Sequence, residues 1–134
     1  MKNNLTKELL SSALVAYKNA YAPYSKFNVG AAVLDENGNI YNGCNVENAA
    51  YPSGSCAEEQ AIGNMIVNGG KVIKNILIIG KSDALITPCG ACRQRIRELC
   101  EKDTIIYIAC IDKGLQKSFK IRDLLSYSFG PENL

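Results

Sequence analysis

The sequence contains no histidine and no tryptophan. Without histidine it lacks the commonest general base near neutral pH and the commonest zinc ligand. Any metal site must therefore be built from thiolates and carboxylates. A charge excess is missing too: 15 Lys and Arg face 13 Asp and Glu, a net +2, with no basic run longer than a residue or two. That balance offers no electrostatic footprint for duplex or single-stranded nucleic acid. Long apolar runs are also absent. Stretches such as Ile76, Leu77, Ile78 and Ile79 fall far short of the roughly 18–20 residues that span a membrane. Residues 1–5 lead into an amphipathic pattern rather than a secretory signal. The expectation is a cytoplasmic protein with neither nucleic acid nor membrane as partner.

What is present suits one globular domain over residues 1–134, with 47% hydrophobic and 21% charged residues. Six cysteines stand out in such a chain. Outside an oxidising compartment, cysteines are buried small hydrophobes or metal and redox ligands.

Hydrophobic periodicity predicts an opening helix over 6–20, with Leu9, Leu10, Ala13, Leu14 and Tyr17 on one side and Thr6 as N-cap. Strands follow over 29–34 and 40–46, joined by an Asn37-Gly38 hairpin turn. A polar loop leads to a helix over 56–68, stopped by Gly69-Gly70, and then to an apolar strand over 75–80. Pro88 suits the entry to a helix over about 89–102. A strand over 104–111, a turn, a strand over 116–120 and a short helix over 121–126 complete the pattern. This order predicts an α/β domain: a mixed sheet of about five strands with helices on both faces, two strand–helix–strand crossovers and a hairpin at each end.

The strongest local signal is Pro88-Cys89-Gly90-Ala91-Cys92. A CxxC pair at a helix start meets free N–H groups and the positive end of the helix dipole, which favour thiolates for metal binding and for redox chemistry alike. Alone, it leaves a metal site, a thioredoxin-like redox pair and buried structural cysteines open. Cys56-Ala57-Glu58 opens the other predicted helix, with Cys89 following Cys56 by 33 positions. Three thiolates from two helix starts would leave a tetrahedral zinc one open position, as in a catalytic site. Glu58 would then lie beside the metal without ligating it. Cys or His, any residue, Glu, then Pro-Cys-x-x-Cys is the pattern of zinc-dependent nucleobase deaminases, in which the Glu moves protons. Cys44, Cys100 and Cys110 fall in strand and helix positions and read as buried small hydrophobes.

With those motifs, Tyr24-Ser25-Lys26-Phe27-Asn28-Val29-Gly30-Ala31-Ala32, Asn45-Val46-Glu47-Asn48-Ala49-Ala50-Tyr51 and Cys92-Arg93-Gln94 resemble the small, homotetrameric cytidine deaminases over nearly the whole chain. The resemblance implies a three-layer deaminase fold and zinc-dependent hydrolytic deamination of cytidine and deoxycytidine in pyrimidine salvage. It implies Zn²⁺ on Cys56, Cys89 and Cys92, with Glu58 catalytic. Asn45 and Glu47 would bind ribose hydroxyls and Phe27 would stack on the pyrimidine, with Ala57 also contacting substrate. Ala49, Tyr51 and Phe129 would reach substrate held mainly by a neighbouring subunit of a homotetramer. Without the family, Phe27 before a strand suits a core position, and Asn45 and Glu47 suit a solvated loop. A blasticidin-S-type aminohydrolase shares the size and zinc motifs; the ribose-binding segment favours the nucleoside.

One position departs from the family. Many members carry Cys-Ala-Glu-Arg, with the Arg donating to the zinc thiolates, whereas Glu59 stands there in this chain. Either Glu59 turns outward, or the thiolate charge is met by helix N-termini and donors such as Gln60 or Arg93.

Overall fold

The computed structural model describes residues 2–134. Strands β1 (Val29–Leu34) and β2 (Ile40–Cys44) form the expected hairpin, β3 (Ile73–Gly80) and β4 (Cys100–Cys110) lie side by side, and β5 (Gly114–Phe119) closes the far edge. The sheet order is β2-β1-β3-β4-β5. β1 runs antiparallel to both β2 and β3, β3 and β4 are parallel, and β5 is antiparallel to β4. Helix α2 (Ala57–Val67) carries the chain from β2 to β3, and α3 (Gly90–Leu99) carries it from β3 to β4. Because β2 and β3 point the same way, both helices begin at the carboxyl ends of their preceding strands. Their N-termini therefore meet at one edge of the sheet, the usual place for a site in an α/β fold.

Period-two alternation sorts the core into two layers. Ala31, Val33, Ile76, Ile78, Ile106 and Ile108 face α2 and α3, where Ala57, Ala61, Met65 and Ile96 complete a buried cluster. Ala32, Leu77, Ile79 and Ala109 face the opposite way, against Leu9 and Ala13 of helix α1 (Lys2–Lys18). The central strand β3 is thus buried on both faces, as its unbroken apolar run predicts. Each Val, Leu, Ile or Met side chain so buried contributes about 1.5–3 kcal/mol relative to exposure. Helix on sheet on helix is the expected three-layer architecture.

Two glycines set how closely the layers approach. A Cβ on Gly30 would lie 2.1 Å from the Ala13 carbonyl oxygen of α1, and one on Gly43 would lie 2.3 Å from the Ala61 nitrogen of α2. Only glycine lets β2 carry α2 at that distance.

Several boundaries shift from expectation. Helix α1 begins at Lys2, so Thr6 is inside the helix rather than its N-cap. Helix α3 ends at Leu99, and β4 begins at once with Cys100 pairing with Ile73. The register then shifts before Asn75 pairs with Ile105. At the shift the buried Thr104 hydroxyl donates to the Ile73 carbonyl at 2.6 Å and accepts from the Glu101 N–H at 2.8 Å, standing in for ladder bonds. Strand β2 stops at Cys44, and Val46 instead bridges Tyr21 and Ser55. Of the three cysteines expected to be buried, Cys110 is; Cys44 and Cys100, at a sheet edge and a helix–strand junction, are only partly covered. Among the described residues no helix is long and apolar enough to cross a membrane.

Candidate metal centre and active site

Cys56 is the N-cap of α2 and Cys89 the N-cap of α3; Cys92 is in the first turn of α3. Neither capping thiol is used in a side-chain cap bond, which leaves both sulfurs available. The Sγ atoms of Cys56, Cys89 and Cys92 lie within 4.8 Å of one another. A tetrahedral zinc with Zn–S bonds of about 2.3 Å needs sulfurs about 3.8 Å apart, and three sulfurs clustered this closely suit such an ion. The donor set fits zinc: three soft thiolates, no histidine, and no fourth protein ligand in the cluster among the described residues. Such a site keeps one position for an exchangeable ligand.

Burial, hydrogen bonds and neighbouring charge bias the three thiols differently. Burial opposes ionisation of Cys89, but hydrogen bonds from the Cys92 N–H and from the Cys92 and Cys56 thiols hold it below the usual thiol range. Burial pushes Cys56 up, and burial together with the negative charge of Glu58 pushes Cys92 up strongly.

Glu58, one residue into α2, is 5% exposed. Burial raises its carboxyl above the ordinary range, opposed by its own N–H, the Cys92 thiol and the charge of Arg95. A buried carboxyl that favours the protonated form, beside a candidate metal, suits a group that must hold and release a proton in turn.

The two capping thiols and Glu58 open onto a cavity of about 690 Å³, within the size range of small-molecule sites. Cys56, Glu58 and Cys89 line it, as do Phe27, Asn45, Glu47, Tyr51 and Ala57. The structure therefore gathers most of the residues singled out in the sequence around one space. Ala49 and Phe129 do not line it; both are exposed, and Phe129 is tied to α3 by its carbonyl, which accepts from Gln94 Nε2 at 3.0 Å. Phe27 is 39% exposed and faces the cavity, so it is not a core residue.

Asn45 and Glu47 hold the wall as well as face it. Asn45 Oδ1 accepts from the Val29 N–H and its Nδ2 donates to the Phe27 carbonyl, both at 2.8 Å. Glu47 Oε1 accepts from the Tyr24 and Ser25 N–H groups at 3.0 Å, and its Oε2 accepts from the Ser25 hydroxyl. These bonds fix the turn before Phe27, in which Lys26 takes a left-handed conformation at φ 61°. Tyr24 meets Tyr51 edge to face with centroids 6.3 Å apart, and both rings line the cavity.

The charge beside the thiols comes from an unexpected residue. Arg95 Nη1 donates to Cys92 Sγ at 3.5 Å, and its Nη2 is 2.7 Å from Glu59 Oε2. Gln60 instead donates to the Ser55 hydroxyl. Arg93 binds the Pro88 and Leu124 carbonyls and the Thr87 hydroxyl. The two donors expected from sequence are therefore occupied elsewhere, and Glu59 turns to an arginine of the neighbouring helix. Arg95 lies three residues after Cys92, which puts both on one face of α3. Opposite charges at 59 and 95 were the only signal for the pair, and they become neighbours only when the two helix starts meet.

Comparison with known proteins agrees with this geometry. The family model described as the cytidine and deoxycytidylate deaminase zinc-binding region matches residues 3–108. The cytidine deaminase of Sporosarcina psychrophila is 38% identical over 128 residues, covering 96% of this chain and 93% of that protein. The cytidine deaminase of Halalkalibacterium halodurans is 36% identical over 126 residues, covering 94% and 95%. Among solved structures, cytidine deaminase from Burkholderia pseudomallei superposes with a TM-score of 0.85 at 35% identity, covering 92% of this chain and 98% of that one.

Proposed function

The chain belongs to the family of the cytidine and deoxycytidylate deaminase zinc-binding region, and on that premise we propose that it hydrolyses cytidine and deoxycytidine to uridine or deoxyuridine and ammonia. The observation that carries this reading is the convergence of three thiols from two helix N-termini with the buried Glu58, where Cys56, Cys89 and Glu58 line a cavity large enough for a nucleoside.

Cys56, Cys89 and Cys92 would hold the zinc, whose Lewis acidity makes water a nucleophile near neutral pH. Glu58 takes a proton from the attacking water and delivers it to N3 of the pyrimidine as oxygen bonds to C4. It then takes the proton of the new C4 hydroxyl and passes it to the amino group. The C4–N bond breaks, ammonia leaves and the carbonyl of the uracil ring forms. One carboxyl thus acts as base and acid in turn, which favours a pKa raised towards the working pH.

Phe27 would offer its ring to the pyrimidine face, and Ala57, directly before Glu58, would contact the substrate from the cavity wall. Asn45 retains one N–H and one lone pair after its bonds to Phe27 and Val29, enough for one hydroxyl as donor and acceptor. Glu47 retains about one of its four lone-pair positions. The ribose hydroxyls are the matching ligand groups. Tyr51 lines the cavity of its own chain, whereas Ala49 and Phe129 would meet substrate only across a subunit boundary, as a homotetramer would provide. A single catalytic domain acting in cytoplasmic pyrimidine salvage completes the reading. The redox alternative gives no role to Cys56 or to the buried Glu58.

The test combines zinc content per chain with ultraviolet-monitored loss of cytidine and deoxycytidine. One zinc per chain and turnover of both nucleosides are expected. A metal-loaded chain inert on both would sink the substrate assignment, and a metal-free active one would sink the cofactor.

A further inference from the structure

Three thiolates and one Zn²⁺ sum to a charge of −1 at a site half enclosed by protein, and such a charge is stable only beside compensating dipoles or cations. The N-termini of α2 and α3 supply dipoles. The cation is Arg95. Its guanidinium is in reach of a ligand sulfur, Nη1 to Cys92 Sγ at 3.5 Å, and its other nitrogen is fixed at 2.7 Å by Glu59 of the facing helix. The fork geometry matters: a guanidinium can bond a carboxylate with one nitrogen and a sulfur with another, with both directions set by one plane.

We propose that Arg95 and Glu59 act as one positioning unit for the metal centre, Arg95 supplying the positive neighbour of the thiolates from α3 and Glu59 aiming it from α2. The inference rests on the zinc reading above and deepens it. Glu59 follows Glu58 directly in α2, so the same helical turn presents the proton carrier and the anchor of the counter-charge. Glu59 is half exposed, and its ion pair with Arg95 would contribute little as a surface bridge alone. Its consequence lies in where it holds the guanidinium. A donor on a thiolate draws electron density from the sulfur. That lowers the tendency of the sulfur to take a proton and leave the metal, and it leaves the ion more electrophilic.

The experiment uses the zinc-loaded full chain. Zinc transfer to excess chromophoric chelator is timed for wild type, Arg95→Met, Arg95→Lys and Glu59→Gln, and the sulfur-to-metal charge-transfer band is recorded after Co²⁺ substitution. Arg95→Met should release zinc about 10–100-fold faster and move the cobalt band to lower energy, because an undonated thiolate gives up electrons more readily. Arg95→Lys should restore most of the retention, and Glu59→Gln should change both readings in the Met direction by less. A purely structural bridge between α2 and α3 would lower thermal stability but leave the band in place, which would overturn the proposal. Unchanged release in both Arg95→Met and Glu59→Gln would overturn it too. If Arg95→Met does not fold, Glu59→Gln decides by the same two readings. A wild-type chain that holds no stoichiometric zinc would instead overturn the metal reading itself.

Discussion

Three of the roughly four lone-pair positions on the Glu47 carboxylate are filled by Tyr24 and Ser25. The Ser25 hydroxyl, and then the Ser25 and Tyr24 N–H groups, hold its pKa below the usual carboxylate value against a smaller opposing effect of burial. A lowered folded pKa means that the ionised form stabilises the fold above the unfolded value of about 4.5 and that this contribution disappears as pH falls through the folded value. Metal-free wild type should therefore be more stable than metal-free Glu47→Gln at pH 7. The gap should be smaller at pH 3 than at pH 7. Denaturant titrations at both pH values check this, and a gap just as large at low pH would show that the carboxylate charge is not what fixes the turn. The dual use of Glu47 and Asn45 also explains their legibility. The resemblance implied a ligand role for both, but their bonds to Tyr24, Ser25, Phe27 and Val29 depend on a loop conformation that no spacing rule encodes.

At the scale of elements, Gly43 governs where α2 sits. A methyl group there would come within 2.3 Å of the Ala61 nitrogen and 2.7 Å of the Ala57 carbonyl oxygen, so the helix would have to move. Gly43→Ala should cost about 1–3 kcal/mol and lower zinc occupancy at fixed free zinc, because α2 carries Cys56 and Glu58. Thermal melts and metal analysis on the same sample read both, and a variant with wild-type stability would mean that the layers yield without strain. Element types and order were readable from periodicity, because β3 carries the unbroken apolar run Ile76-Leu77-Ile78-Ile79 and α2 and α3 each begin at a cysteine beside a turn signal. Boundaries were less so. The α3–β4 junction at Cys100 depends on the Thr104 hydroxyl replacing ladder bonds, a contact between residues 31 positions apart. The early start of α1 at Lys2 reflects a stretch with no breaker rather than a capping residue.

For the whole molecule, the topology brings the carboxyl ends of β2 and β3 together, and a metal there would tie the two crossovers into one unit. Chelation should then lower thermal stability. At free zinc about 100 times the dissociation constant the ion contributes about 2.7 kcal/mol, equivalent to a fall of roughly 5–10 °C in Tm for a chain of this size. An unchanged Tm after verified zinc removal would show that the sulfurs hold their places without the ion. The ligand cysteines and Glu58 were legible because their chemistry lies in short local motifs at helix starts. Arg95 was not, since its relation to Glu59 crosses two helices and exists only in the folded chain. If Glu58 carries the protons of cytidine deamination at a tri-thiolate zinc centre, Glu58→Gln must separate metal binding from turnover, with zinc content and ultraviolet-monitored cytidine loss measured on one preparation. The variant should keep one zinc per chain and lose at least about 100-fold in turnover. A metal-loaded Glu58→Gln protein that turns over cytidine at the wild-type rate would rule Glu58 out as the proton carrier.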